Sequence, residues 1–302
     1  MAEPSENYIK YLNPAVISKI NSMELRARLV VEGFMVGLHK SPYHGFSVEF
    51  IEHRPYLQGD SLKDVDWKAY GKTEKFFIKQ YEEETNLRSY ILLDTSRSMS
   101  FASSGNITKL EYASTLVAAL SYLMIKQQDA VGLALYSDKI NSYIPPKATK
   151  TYLRQILKQI ASLKASSTTN TAFSLNLVAE KIKRRGLVVI VSDLFDDINS
   201  ILKSLKNFSY LKNEVIVFQI LDPLERSFSF GADAVFKDLE TDEEITTQPY
   251  QIQKAYRESM GEFLRKIKSE CLKSNIEYNL IETSMPFDKA LFSYIQKRKR
   301  LY

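Results

Sequence analysis

The sequence is poor in cysteine. Among 302 residues there is one, Cys271. No intramolecular disulfide can form, which points to a reducing compartment and a fold held by packing alone. Cys271 follows Glu270 in a helical pattern with no evident histidine partner, so a structural thiol is expected rather than a nucleophile. Histidine is scarce too: His39, His44 and His53 lie close together, at spacings that match no zinc pattern and with no cysteine among them. Long hydrophobic runs are missing. The longest near-apolar stretch, around Leu116 to Ile125, is too short for a bilayer, which needs roughly 20 residues. The polar, acidic start Met1-Ala2-Glu3-Pro4-Ser5-Glu6 predicts no signal peptide. Neither sign of charge dominates: the net charge is +5, spread along the chain, and gives no argument for nucleic acid. There are no internal repeats and no low-complexity linkers. A soluble, cytoplasmic protein is the expectation.

What is present is a sizeable apolar fraction, 44%, arranged as short buried strands that alternate with helical patterns. Ile91-Leu92-Leu93-Asp94-Thr95-Ser96-Arg97-Ser98-Met99 is the most informative stretch. An apolar strand runs into Asp94, and Ser96 and Ser98 follow at alternate positions. At the carboxyl end of a strand in an open α/β sheet, such residues lie where ligands bind. One carboxylate and two hydroxyls are oxygen donors suited to a hard cation such as Mg²⁺. Two later stretches offer matching groups. Ser167-Thr168-Thr169-Asn170-Thr171 precedes a helical pattern, and Leu187-Val188-Val189-Ile190-Val191-Ser192-Asp193 is a second buried strand ending in Asp.

In this order the three stretches resemble the von Willebrand factor A fold and its metal-ion-dependent adhesion site (MIDAS). The resemblance implies a metal set of Asp94, Ser96 and Ser98, with Thr169 (or Thr168, one register away) and Asp193, holding Mg²⁺ or Mn²⁺. Asp196 and Asp197 lie just beyond. They read either as further acids near the site or as caps of the helix that carries Ile201, Leu202 and Leu205.

Before the first strand lies a block dense in charge and aromatics, from His53-Arg54-Pro55-Tyr56 to Phe76-Phe77-Ile78-Lys79-Gln80-Tyr81. Its tryptophan, Trp67, and its other large aromatics are expected to be buried in a packed subdomain. Arg54, Asp60 and Asp66 are candidates for internal ion pairs there. Gly71-Lys72-Thr73 mimics the tail of a phosphate-binding loop. Asp66 stands where that loop needs its first glycine, and no suitable strand precedes it, so a nucleotide site is rejected. The string H-R-x-Y-x-x-G-D-x-x-x-D-V-D-W-K, then K-T, then I-K-x-Y-E-E-E, is similar to the family of domain of unknown function 58. Val31-Glu32-Gly33 and His39-Lys40-Ser41 match as well. Gly71-Lys72-Thr73 departs from the family's usual Ala-Arg-Thr and loses the arginine fork. Family members with this block carry a von Willebrand A-like domain behind it, and this chain resembles the short, soluble form.

Elsewhere, Asn13-Pro14 opens one or two helices reaching about Gly33, with Gly37, Pro42 and Gly45 as breakers. Helices are expected over Lys109 to Gln127, around Tyr152 to Ile160, over Thr171 to Lys183 and from about Gln251 to Ser274. Strands are expected at Ala130 to Tyr136, Glu214 to Leu221 and Ile276 to Ile281. An edge strand is expected at Lys139 to Ile144, ended by Pro145-Pro146. Phe228 to Pro249 predicts a surface hairpin, and Lys297-Arg298-Lys299-Arg300 a solvated basic tail. The fold class is α/β: a mostly parallel, von Willebrand A-like sheet with helices on both faces. Residues 1–85 form an N-terminal helical and irregular region, and residues 86–302 form the main domain.

The motif loop has no general base, no catalytic carboxylate pair and no Ser-His-Asp set. A metal-dependent protein-interaction module is therefore expected rather than an enzyme. A partner protein would supply a carboxylate to the metal. The family resemblance implies that this partner is a MoxR-type AAA+ ATPase, or its substrate, in chaperone-like complex assembly or maturation. Two alternatives stay open. One is a Mg²⁺-dependent hydrolase or phosphotransferase with Asp94 as nucleophile, disfavoured by Ser96 in place of a second acid. The other is a metal-free fold held by hydrogen bonds among Asp94, Ser96, Thr169 and Asp193.

Overall fold

The computed structural model describes residues 13–40, 54–56, 65, 67–78, 87–165, 170–230, 234–237, 244–247 and 249–299. The chain opens with α1 (Pro14–Ile17). The Asn13 side chain caps it by accepting the Ala15 N–H at 2.9 Å. α2 (Met23–Lys40) follows and runs through Gly33 and Gly37, beyond the expected end. Each glycine weakens a helix by about 1 kcal/mol. Tertiary packing outweighs that here: Ala27, Val30, Val31 and Phe34 are buried in the same core as Ile91 and Leu93. α2 thus belongs to the core of the main sheet, although its residues fall within the expected N-terminal region.

β1 (Arg54–Pro55), α3 (Trp67–Thr73) and β2 (Phe77–Ile78) come next, with β1 antiparallel to β2. Val65 is buried, but Trp67 is 58% exposed, against expectation. Its ring packs on neighbouring rings instead of entering a core: Tyr70 stacks on Phe76 at 4.4 Å, and Trp67 meets both edge-on. Gly71, Lys72 and Thr73 lie inside α3, not in a loop ahead of a helix. Asp60, Asp66 and the side chain of Arg54 lie outside the described residues, as do His44 and His53 and the side chain of His39.

From here strands and helices alternate. β3 (Arg88–Asp94) leads through a 3₁₀ turn (Arg97–Ser100) to α4 (Lys109–Lys126). β4 (Ala130–Tyr136), β5 (Ile140–Lys147), α5 (Lys150–Ala161), α6 (Thr171–Lys181) and β6 (Leu187–Ser192) follow. Then come α7 (Ile198–Tyr210), β7 (Glu214–Leu221) and α8 (Pro223–Ser227). The expected hairpin is present as β8 (Ala234–Lys237) paired antiparallel with β9 (Glu244–Thr247). α9 (Pro249–Lys273), β10 (Glu277–Glu282) and α10 (Asp288–Lys299) complete the chain.

Six strands form one sheet in the order β10-β7-β6-β3-β4-β5, parallel except for β5. This is a doubly wound order whose direction reverses between β3 and β6. Apolar residues alternate between its two faces. Ile91 and Leu93 join one core with Val189, Val191 and Phe218, while Tyr90 and Leu92 join the other with Val188, Ile190 and Val217. Both faces are covered by helices, as the buried parallel strands require.

β5 runs through Pro145 and Pro146 to Lys147, rather than stopping before them. It is an edge strand, where missing N–H groups are tolerated, and its register shifts opposite Val131 and Leu133. Gly132 lets it approach: a Cβ there would meet the Ile144 carbonyl at 2.7 Å and Pro146 at 2.9 Å. Of the basic run, Lys297 and Arg298 are not a solvated tail. Lys297 is buried against Glu214 at 2.7 Å, and Arg298 binds Asp129 at 3.1 Å. Among the described residues, no helix is long and apolar enough to cross a membrane.

Candidate functional site

Three adjacent parallel strands, β3, β6 and β7, lead directly into acids at their carboxyl ends: Asp94, Asp193 and Asp222. Leu93 pairs with Val191, so Ser192 and Asp193 emerge beside Asp94. Asp94 and Asp193 therefore flank the point where the strand order reverses.

Asp94 is fully buried. One of its oxygens accepts the Ser96 N–H at 2.9 Å, and the other accepts the Ser192 hydroxyl at 2.6 Å. The Ser96 and Ser98 hydroxyls lie 3.1 Å apart. Thr95 anchors the loop, donating both its N–H and its hydroxyl to the Tyr136 carbonyl. Thus Asp94, Ser96 and Ser98 stand together at one strand end.

Asp193 is equally buried and has a partner that sequence reasoning missed. Lys109, the first residue of α4, is 0% exposed and donates to Asp193 Oδ2 at 2.8 Å and to Glu225 Oε1 at 2.5 Å. The other Asp193 oxygen accepts the Phe195 N–H at 3.1 Å. Gln219 donates to the Asp193 carbonyl, and the Tyr278 hydroxyl donates to Gln219 in turn. Glu225 belongs to a reciprocal capping box with Asp222 at the start of α8. Asp222 also accepts the Ser103 N–H, tying the loop after β3 to β7. It is a structural acid, not a third member of the pair.

Asp197 caps α7 through the Ser200 N–H at 2.8 Å. Asp196 does something else: it accepts the Thr171 N–H at 2.9 Å, joining the loop after β6 to the start of α6. Thr171 Oγ1 is buried and has no hydrogen-bond partner among the described residues. Thr168 and Thr169 lie outside the described residues. The signals for the missed residues were faint. Ser192 immediately precedes Asp193, and Lys109 opens a helix that also carries Glu111 and Lys126, so its charge does not stand out.

Burial, and then the charge of Asp193, push the Asp94 carboxyl up to about 7. The Tyr136 hydroxyl is raised further, by burial and by Asp94. Burial works to lower the Lys109 pKa, but Asp193 and Glu225 more than offset it and keep the ammonium charged. Glu225 is shifted upward by burial, although Lys109 opposes the shift.

Two buried carboxylates share this end of the sheet with hydroxyl oxygens, and the Lys109 ammonium engages Asp193 and Glu225 but donates no hydrogen bond to Asp94. Among the described residues there is no cluster of three or more His, Cys, Asp or Glu side chains suited to a metal. An all-protein cage of the zinc or calcium kind is therefore not present among them. Two carboxylates with hydroxyls do fit the oxygen chemistry of Mg²⁺, which keeps several waters and takes one or two carboxylates.

A six-stranded doubly wound sheet, antiparallel at one edge and with Asp and Ser side chains at the switch point, defines a von Willebrand A-like α/β protein. The chain belongs to the family described as protein of unknown function DUF58, which matches residues 52–265. It is similar to an uncharacterized protein of Mycobacterium bovis, 23% identical over 232 residues that cover 76% of this chain and 72% of the relative. A Mycobacterium tuberculosis protein matches to the same extent. Among solved structures, BatB from Bacteroides thetaiotaomicron aligns over 72% of this chain and 100% of its own, at 17% identity and a TM-score of 0.47. An aerotolerance-related membrane protein from Bacteroides fragilis aligns over 70% and 99%, at 20% identity and the same TM-score. The SpRpn10 VWA domain aligns over 69% and 94%, at 13% identity and a TM-score of 0.40.

Proposed function

We propose that this DUF58 protein is an interaction module whose strand-end site holds Mg²⁺ or Mn²⁺ and receives a carboxylate from a partner protein. Asp94 and Asp193 would hold the cation with the Ser96 and Ser98 hydroxyls and Thr169. The observation that carries this reading is the Asp94–Asp193 pair. Both acids are fully buried at adjacent strand ends, and burial first, then the charge of Asp193, pushes Asp94 up to about 7, next to two hydroxyls 3.1 Å apart. A bound cation supplies positive charge and an open coordination position. The chain's own groups do the rest. Ser192 and the Ser96 N–H orient Asp94, Lys109 fixes Asp193, and Thr95 locks the loop onto β4. The family resemblance supplies the partner class, a MoxR-type AAA+ ATPase, for which this chain would act as adaptor or substrate-presenting arm.

A second reading rests on a specific observation as well. Both oxygens of Asp94 and both of Asp193 already accept hydrogen bonds, and Lys109 is a built-in cation. On that reading the fold keeps the network without a metal. Calorimetric titration of Mg²⁺ and Mn²⁺ into the wild type and into Asp94→Ala separates the two. Saturable binding that vanishes in the variant supports the metal site. Pull-down of a purified MoxR-type ATPase with and without chelator then tests the partner. Absence of wild-type binding, with or without that ATPase present, favours the metal-free reading.

A further inference from the structure

β10 is the outermost strand at its end of the sheet among the described residues. Only its inner side is paired, to β7. Alternate N–H and C=O groups on the outer side therefore have no ladder partner, which makes the edge a template for another strand. The edge is not flat against solvent. α9 rises on one face and α10 on the other, and they enclose a groove of about 640 Å³ along Tyr278, Asn279, Leu280 and Ile281. Met260, Leu264 and Met285 give it apolar walls. Gly261 faces it from α9, where a Cβ would meet only Arg265 Nη1 within 3.4 Å. A residue that a helix interior disfavours thus leaves that wall open.

The charge lining the groove is of one sign. Arg226, Arg257, Arg265, Lys268 and Lys289 line it, and no carboxylate does. Arg226 is tied to Glu282, and Arg257 to the Ser227 carbonyl and the Ser229 hydroxyl. Arg265, Lys268 and Lys289 are exposed and have no ion-pair partner among the described residues. Asn279 Nδ2, a donor on β10 itself, is buried without a hydrogen-bond partner among the described residues.

We propose that this groove binds an acidic, extended segment of a partner protein as a seventh strand on β10. Main-chain hydrogen bonds to the β10 edge would supply register and affinity. Alternate side chains of the added strand would face α9 and α10. Carboxylates on either side would then meet Arg265 and Lys268 or Lys289, and an acceptor would meet Asn279. None of the residues that line the groove is among those proposed to hold the cation, so binding here should persist when divalent metal is chelated.

The test uses the full chain in chelator and a capped, fluorescein-labelled peptide that alternates Glu or Asp with Val or Thr. Two controls accompany it: the same peptide with Lys in place of the acids, and the acidic peptide N-methylated at alternate residues. Saturable binding of the acidic peptide is expected, with new amide protection at residues 278–281. N-methylation, or the surface double variant Arg265→Glu with Lys268→Glu, should each weaken binding about tenfold or more. No saturable binding, equal binding of the N-methylated peptide, or equal binding of the basic peptide overturns the proposal. Weak wild-type binding that rises when the acids of residues 238–244 become amides would also overturn it. That result would assign the groove to the chain's own acidic segment.

Discussion

Lys109→Met tests the charge balance of the strand-end site most directly. Lys109 is 0% exposed and bridges Asp193, also 0% exposed, and Glu225, whose side chain is 13% exposed. Methionine keeps the unbranched apolar stem, so the packing change contributes less than about 1.5 kcal/mol. The larger effect is the two carboxylates left without a cation. Removing one partner of a buried pair costs about 3–5 kcal/mol, and the residual exposure of Glu225 sets the expected loss at the lower end, about 3 kcal/mol. The loss depends on pH with a definite sign. Burial already shifts Glu225 upward and Lys109 opposes it. Without Lys109, folded Glu225 holds its proton to higher pH than the unfolded chain does. A folded state that binds more protons gains stability as pH falls. The deficit should therefore be greatest near about pH 8 and shrink towards about pH 5. Urea unfolding at both pH values, with m unchanged, reads it as a shift in midpoint. Adding Glu225→Gln should recover part of the loss. A deficit under about 1 kcal/mol near neutral pH, or one that does not change with pH, would refute the reasoning.

Asp94 carries its own pH signature. Its folded pKa of about 7 lies above the ordinary 3.8, so in chelator the wild type should gain stability as pH falls between those values. Urea midpoints across that range should show the slope, and Asp94→Asn should make it shallower, leaving the share of Glu225, whose carboxyl is also shifted upward. Gly132→Ala places a Cβ against the Ile144 carbonyl and should cost about 1–3 kcal/mol in thermal or urea unfolding, since backbone must move. Burial pushes the Cys271 thiol up to about 12. A disulfide reagent should therefore modify the native protein no faster than it unfolds, and rapid labelling of folded protein would contradict this.

Local patterning made most of the sheet legible. β4 and β7 were readable to the residue because a buried parallel strand is a short apolar run bounded by turn signals. The same logic placed Asp94, Ser96, Ser98 and Asp193 at strand ends. Breakers misled where tertiary context outweighed them. α2 passes two glycines because its apolar face packs into the main core, and β5 passes two prolines because it is an edge. Trp67 misled for a related reason: aromatic rings can shield one another at a surface as well as in a core. Lys297 and Arg298 look like a free tail in sequence, but α10 carries them back to Glu214 and Asp129.

By itself, then, the sequence determined the class of fold, the alternation of its elements and the strand-end residues, since each depends on neighbours a few positions away. Strand order, the convergence of the two acids and their balance of charge are decided by contacts across long stretches of chain. Ser192 reaches Asp94 across 98 positions, and Lys109 reaches Asp193 across 84 and Glu225 across 116. No local period encodes such pairings. A lysine at the head of a helix looks solvated until the sheet closes over it, and the open, basic edge of β10 exists only once the strands have taken their order.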